Sequence, residues 1–144
     1  MRKMYESEQD LMNEQSVIEK LSHLWSCEFI KLPIRYGVDF ASVRNDYVVG
    51  FCEIKCRNYS MSQIDSMGGY MISSGKWSSA KLLSESTGIP FVLVVKANEA
   101  IWSYKIDDFT PSKVLLKGRK DRDDWQDMEP CIILDCNNFR RIDQ

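Results

Sequence analysis

The stretch GVDFASVRNDYVVGFCEIKCRN, Gly37 to Asn58, decides how this chain is read. Val, Phe, Ile and Cys fill two runs of strand length, Val38 to Arg44 and Val48 to Arg57, around the turn formers Asn45 and Asp46. With a three-residue loop, Asn45-Asp46-Tyr47, an antiparallel hairpin opposes Arg44 to Val48, Val43 to Val49, Ala41 to Phe51 and Asp39 to Glu53. A two-residue loop brings Val38 opposite Glu53 instead. Lys55 lies two residues beyond Glu53 and so shares its face. Both faces of the hairpin are otherwise largely apolar, which predicts strands covered on both sides.

Two carboxylates and an ammonium are therefore set at one end of an apolar hairpin. Opposed like charges are unfavourable, and burying them costs several kcal/mol each unless something compensates. A divalent cation between Asp39 and Glu53 would compensate, and so would a salt-bridge cluster with Lys55. The chain has one histidine, His23, so oxygen ligation by magnesium, with manganese as substitute, fits better than zinc.

Working outward, residues 5–26 read as an amphipathic helix, with Leu11, Val17, Ile18, Leu21, Leu24 and Trp25 on one stripe. A first strand is expected over 28–34. Residues 58–75, rich in Ser, Met and Gly, give no clear element. A second helix is expected from about Lys76 to Ser86, capped by Ser74 and stopped by Gly88 and Pro90. Strands follow at 91–96 and 101–106. Residues 107–113 read as a loop or short helix, 118–129 as a charged segment and 131–134 as a last strand. The order predicts one mixed α/β domain over residues 1–144 with a central sheet.

Composition sets outer limits. No apolar run reaches 18 residues, so no transmembrane helix is expected, and the polar start from Met1 to Asp10 is unlike a secretory signal. The five cysteines form no C-x-x-C pair, which disfavours a disulfide framework and makes a reducing cytoplasm the expected compartment. A net charge of −2 leaves no global footprint for nucleic acid.

Val38-Asp39 followed by Glu53-Ile54-Lys55, behind a helix bearing Glu14, resembles the PD-(D/E)XK nuclease superfamily. Helix, strand, Asp strand, Glu-x-Lys strand, helix and strand follow one another in that order over about residues 10–96. The resemblance implies a restriction-endonuclease-like core, with a central mixed β-sheet flanked by helices. It also implies that Asp39, Glu53 and Lys55 are catalytic. Asp39, Glu53, Glu14 and the backbone carbonyl of Ile54 would hold the metal. Val38 replaces the Pro of the motif's name, and the Gln-x-x-x-Tyr of the RecB-like branch is missing. Gly75-Lys76-Trp77, the exit Thr87-Gly88-Ile89-Pro90-Phe91 and the run from Gly118 to Pro130 look like small phage or prophage proteins of this nuclease type.

The expected activity is hydrolysis of DNA phosphodiester bonds by a magnesium-dependent endonuclease of phage-like origin, acting in the host cytoplasm. The alternatives are a nuclease-fold DNA-binding or assembly protein without catalysis, or a nuclease specific for branched DNA or RNA. A homodimer is expected, since relatives of this size often pair two active sites. Arg57 and Lys76 are candidate phosphate contacts and should form a basic rim around the acidic pair. Lys76 opposes the dipole at the start of its helix, which points either to a purpose such as contacting phosphate or to a solvated lysine. Lys117, Arg119, Lys120 and Arg122 are interleaved with Asp121, Asp123, Asp124 and Asp127 and read as a self-neutralising loop. Cys52 and Cys56 face away from Glu53 as buried thiols, and the tryptophans read as packing residues.

Overall fold

A computed structural model describes residues 8–33, 38–106, 113–118 and 128–144 of the chain. Helix α1 (Glu8–Trp25) leads into β1 (Glu28–Lys31), β2 (Phe40–Arg44) and β3 (Tyr47–Cys56). Then come α2 (Met61–Ser66), β4 (Tyr70–Ser73), α3 (Ser74–Thr87), β5 (Phe91–Lys96) and β6 (Ile101–Lys105). Strands β7 (Lys113–Gly118) and β8 (Met128–Leu134), a 3₁₀ turn (Cys136–Asn138) and β9 (Arg140–Arg141) complete the order.

Six strands form the main sheet in the order β1-β2-β3-β5-β6-β9. Only the β3–β5 pairing is parallel, so the sheet is mixed. Strands β3 and β5 at its centre are buried on both faces, which explains the unbroken apolar run Phe91–Val95. On one face Val17 and Leu21 of α1 close over Phe40, Cys52, Ile54, Val94 and Ile101. On the other face α3, through Trp77 and Ala80, joins Leu93, Val95 and Tyr104 in a larger core. Each fully buried side chain of this kind contributes about 1.5–3 kcal/mol. The expected two-sided covering holds for the half of the hairpin next to the site, while Arg44 and Tyr47 to Val49 near the turn are exposed; Cys52 and Cys56 lie on the α1 side, away from Glu53.

The hairpin itself combines both expected registers. Asn45 and Asp46 adopt φ of 51° and 68°, so the loop has two residues, with Arg44 opposite Tyr47 and Val43 opposite Val48. The register then shifts, and Ser42 pairs with Gly50, Ala41 with Phe51 and Phe40 with Cys52. Val49 is the extra residue of a β-bulge. Continued one step, the ladder brings Asp39 opposite Glu53, the register that a three-residue loop would have produced.

Several boundaries differ from expectation. The first strand stops at Lys31, where Leu32 still donates its amide to Asp39 O at 2.9 Å. Residues 58–75, without a clear element in the sequence reading, hold α2 and β4. The first carries a capping box, Ser60 Oγ accepting from Gln63 N and Gln63 Oε1 from Ser60 N. Helix α3 is capped by Ser73, not Ser74, and ends at Gly88 in the left-handed conformation. A second sheet, β4-β8-β7, accompanies the central one expected, with Tyr70 opposite Leu134. Strand β8 starts at Met128, and Lys113 opens β7. Of the loop or short helix expected at 107–113 only Lys113 is described, and it lies in β7; most of the charged segment, including Arg119, Lys120 and Arg122, lies outside the described residues.

At the far end of α1, Ser26 takes φ of 50° and the Arg44 guanidinium reaches across from β2. Its Nε donates to Ser26 O at 3.1 Å and its Nη2 to Trp25 O. A cation on the terminal carbonyls satisfies them and complements the helix dipole.

Candidate active site

Asp39 sits where β2 begins and Glu53 two-thirds of the way along β3. The amides of Phe51 and Arg57 donate towards β5, to Pro90 O and Lys96 O. Backbone groups alternate along a strand, so the N–H and C=O of Ile54 face the β2 side, just beyond the last paired residue, Phe40. Asp39 fills that place: its Oδ2 accepts the Ile54 amide at 3.3 Å. The Asp39 carboxylate and the Ile54 carbonyl therefore share one flank, beside Glu53.

Glu53 is 2% exposed, the only acidic side chain buried among the described residues. Two ammonium groups converge on its Oε1, Lys76 Nζ at 2.9 Å and Lys55 Nζ at 3.5 Å. Neither contact has the alignment of a hydrogen bond, so a buried carboxylate oxygen is held by charge alone. Burial raises the Asp39 carboxyl above its ordinary range and the charge on Glu53 adds to the rise; Lys55, the Ile54 amide and Lys76 counter it only in part. Burial, reinforced by Asp39 and Glu53, also raises the Cys52 thiol well above its ordinary value and keeps it protonated.

The structure brings together Asp39, Glu53, Lys55, Lys76 and the Ile54 backbone. Glu14, on α1, pairs with Lys31 Nζ at 3.1 Å, and Lys31 in turn stands over the Phe40 ring. Among the described residues no three of His, Cys, Asp or Glu form a metal-holding group. Arg57, expected on the rim, donates to Tyr70 OH at 3.2 Å and stacks over that ring. Burial pushes the Tyr70 hydroxyl up to about 12, with Arg57 pulling it down and Glu53 pushing it further up. Lys76 is present at the acidic pair, as the expected rim requires, but it faces Glu53. The sequence offered one signal for that role, a lysine in the first turn of a helix, where the dipole disfavours it.

The donors on this flank, two carboxylates and a carbonyl, are all oxygen. They suit a hard divalent cation such as magnesium or manganese, and the unbonded Glu53 Oε1 is the atom such a cation would satisfy. A mixed sheet carrying an Asp and a Glu-x-Lys on adjoining strands, between flanking helices, is the core of a restriction-endonuclease-like nuclease. A model of the family described as "Phage putative PDDEXK endonuclease" matches residues 1–142. The chain belongs to that family of phage PD-(D/E)XK endonucleases. No curated protein matches it in sequence. Among solved structures the fold is similar to that of Hjc, a Holliday junction resolvase from Archaeoglobus fulgidus, with a TM-score of 0.51. The two are 12% identical over 90% of this chain and 92% of that one. No helix among the described residues is long and apolar enough to cross a membrane.

Proposed function

We propose that residues 1–144 form one nuclease domain that hydrolyses DNA phosphodiester bonds with the help of magnesium or manganese. The observation that carries this reading is a buried Glu53 whose Oε1 has two ammonium groups within 3.5 Å and no hydrogen bond. Asp39, Glu53 and the Ile54 carbonyl would hold the cation, which when bound supplies Lewis-acid activation of water and positive charge for the phosphate. Asp39 is fixed for this by the Ile54 amide. Lys55, with its side chain 41% exposed, can leave Glu53 to orient water or donate to a phosphate oxygen. Linear, nicked, flapped and four-way DNA and RNA, incubated with manganese, test the substrate. Glu53→Ala and Lys55→Ala should each lower cleavage at least 100-fold without loss of fold. Full activity in both would refute the site.

Four-way junctions enter that panel because the similar fold of Hjc belongs to a junction resolvase. A second reading, a DNA-binding or assembly protein without catalysis, is favoured by one observation: among the described residues no three of His, Cys, Asp or Glu form a metal-holding group. Calorimetry separates the two, because the binding module would take up no manganese that depends on Asp39 and Glu53. The nuclease reading has the protein act as a homodimer in the host cytoplasm, and sedimentation of the purified chain would check the dimer.

A further inference from the structure

We propose that Lys76 is the resident counter-ion of the cation pocket. It competes with the divalent cation for Glu53 and passes to a substrate phosphate when that cation is bound. The inference rests on the metal-dependent reading above and concerns one further residue of the same site.

A carboxylate buried as deeply as Glu53 is strongly disfavoured unless its charge is met. Lys55 meets it at 3.5 Å from a half-exposed position, while Lys76 meets it at 2.9 Å with its side chain 25% exposed. The fold places Lys76 there at a local cost. Ser73 caps α3 by accepting the Lys76 amide at 3.2 Å, which fixes Lys76 in the first helical turn, at the positive end of the dipole. The dipole disfavours an ammonium there, and the contact with Glu53 offsets it.

Both ammonium groups address the same oxygen, Oε1. A divalent cation ligated by that oxygen would meet Lys76 at a separation where two like charges repel strongly. That repulsion favours displacement of Lys76, the nearer of the two ammonium groups. Lys76 has a flexible four-carbon stem and a partly exposed side chain, so it can withdraw towards the cleft while its backbone stays capped. With Asp39, Glu53, Lys55 and Lys76 all charged, the cluster is neutral without metal. A bound cation makes it net positive by two charges, at the moment when Lys76 is released towards solvent. Metal loading and anion capture are thereby coupled through one side chain.

The test is calorimetry of manganese binding to the full chain, comparing wild type with Lys76→Met and Lys76→Arg. Met keeps the length and the cap but removes the charge; Arg keeps the charge. Lys76→Met should bind manganese at least about tenfold more tightly than wild type, and Lys76→Arg should stay near wild type. With calcium in place of manganese, Lys76→Met should bind a short duplex several-fold more weakly than wild type, and equally in EDTA. Thermal unfolding supplies a second readout if Lys76→Met is less stable without metal, since manganese should then raise its Tm more than that of wild type. Equal or weaker manganese binding by Lys76→Met, with Glu53-dependent uptake intact, overturns the counter-ion role and leaves the nuclease reading standing. No uptake by either protein overturns both. Uptake by Lys76→Met alone is the strongest support for the proposal.

Discussion

Replacing Arg44 by Met isolates a single charged group. The methylene stem is retained, while the donors to Ser26 O and Trp25 O are lost. Hydrogen bonds to a charged group contribute about 1.5–3 kcal/mol when sheltered, and exposure lets water replace part of that. A cation at a helix C-terminus adds about 0.3–1 kcal/mol. The two effects overlap in one guanidinium, so the net loss should be about 1–2 kcal/mol. A chain of 144 residues unfolds with an entropy near 0.3 kcal/mol per degree, from ~2.1 cal/mol/K per residue. The midpoint should therefore fall by about 3–7 °C. Urea denaturation gives the free energy directly, and Lys at this position should recover only the charge–dipole part, because it lacks the planar fork. Raising the salt should narrow the gap between the Lys and Met variants. Manganese uptake should be unchanged, since Asp39 lies at the opposite end of β2. A loss below about 0.3 kcal/mol in Arg44→Met, or full recovery by Lys, would refute the cap.

Two glycines should separate conformational cost from steric cost in the same denaturation assay. Gly88→Ala, at φ of 71° with open space around it, should cost about 1–2 kcal/mol. Gly69→Ala, at φ of 124° with its new Cβ 2.6 Å from Leu134 O, should cost more than about 3 kcal/mol; equal losses would count against the tight approach of α2's exit to β8. The Glu99 carboxylate accepts from Met61 N at 3.0 Å and Trp102 Nε1 at 3.2 Å. Slight burial raises its pKa, but those hydrogen bonds, helped by Arg141, outweigh it and hold the carboxyl below the ordinary glutamate value. A folded-state pKa below the unfolded one gives stability that is complete above the ordinary glutamate pKa and is lost as pH falls through the folded value. Glu99→Gln should therefore match wild type at low pH and fall behind it near neutrality, by no more than about 1 kcal/mol after solvent screening. Deleting Val49 should change stability by less than about 1 kcal/mol and preserve Glu53-dependent manganese uptake, because the Ser42–Gly50 pairing survives; loss of uptake would show that the bulge itself shapes the site.

The sequence made the hairpin and its acidic end legible through strand alternation and one motif, with Asp39 opposite Glu53 in one of two open registers. It did not reveal how that opposition is reached. Either loop length was compatible with the local pattern, and the bulge at Val49 reflects the fit of the whole sheet. The capping box Ser60-x-x-Gln63 was readable in principle, but the helix it opens is six residues long and has almost no periodicity to support it. Strand β4 is four residues and β9 two, and both exist through partners far along the chain. The same holds for the side chains at the site. That Lys76 meets Glu53, Arg57 meets Tyr70 and Lys31 meets Glu14 depends on which helix packs over which strand, and no local pattern encodes it.

The bulge at Val49 offsets the register of the two halves of the hairpin by one residue. Between turn and site it absorbs one residue, so the exposed tip at Asn45 and Asp46 can change length by one without carrying the acidic pair out of phase. Spacing along the chain between an Asp and its Glu-x-Lys is thus a poor yardstick for this architecture, and the parity of the ladder below the bulge is a better one. The tip also becomes the natural place to graft a label or a peptide: a probe there would report on the hairpin while the site keeps its geometry.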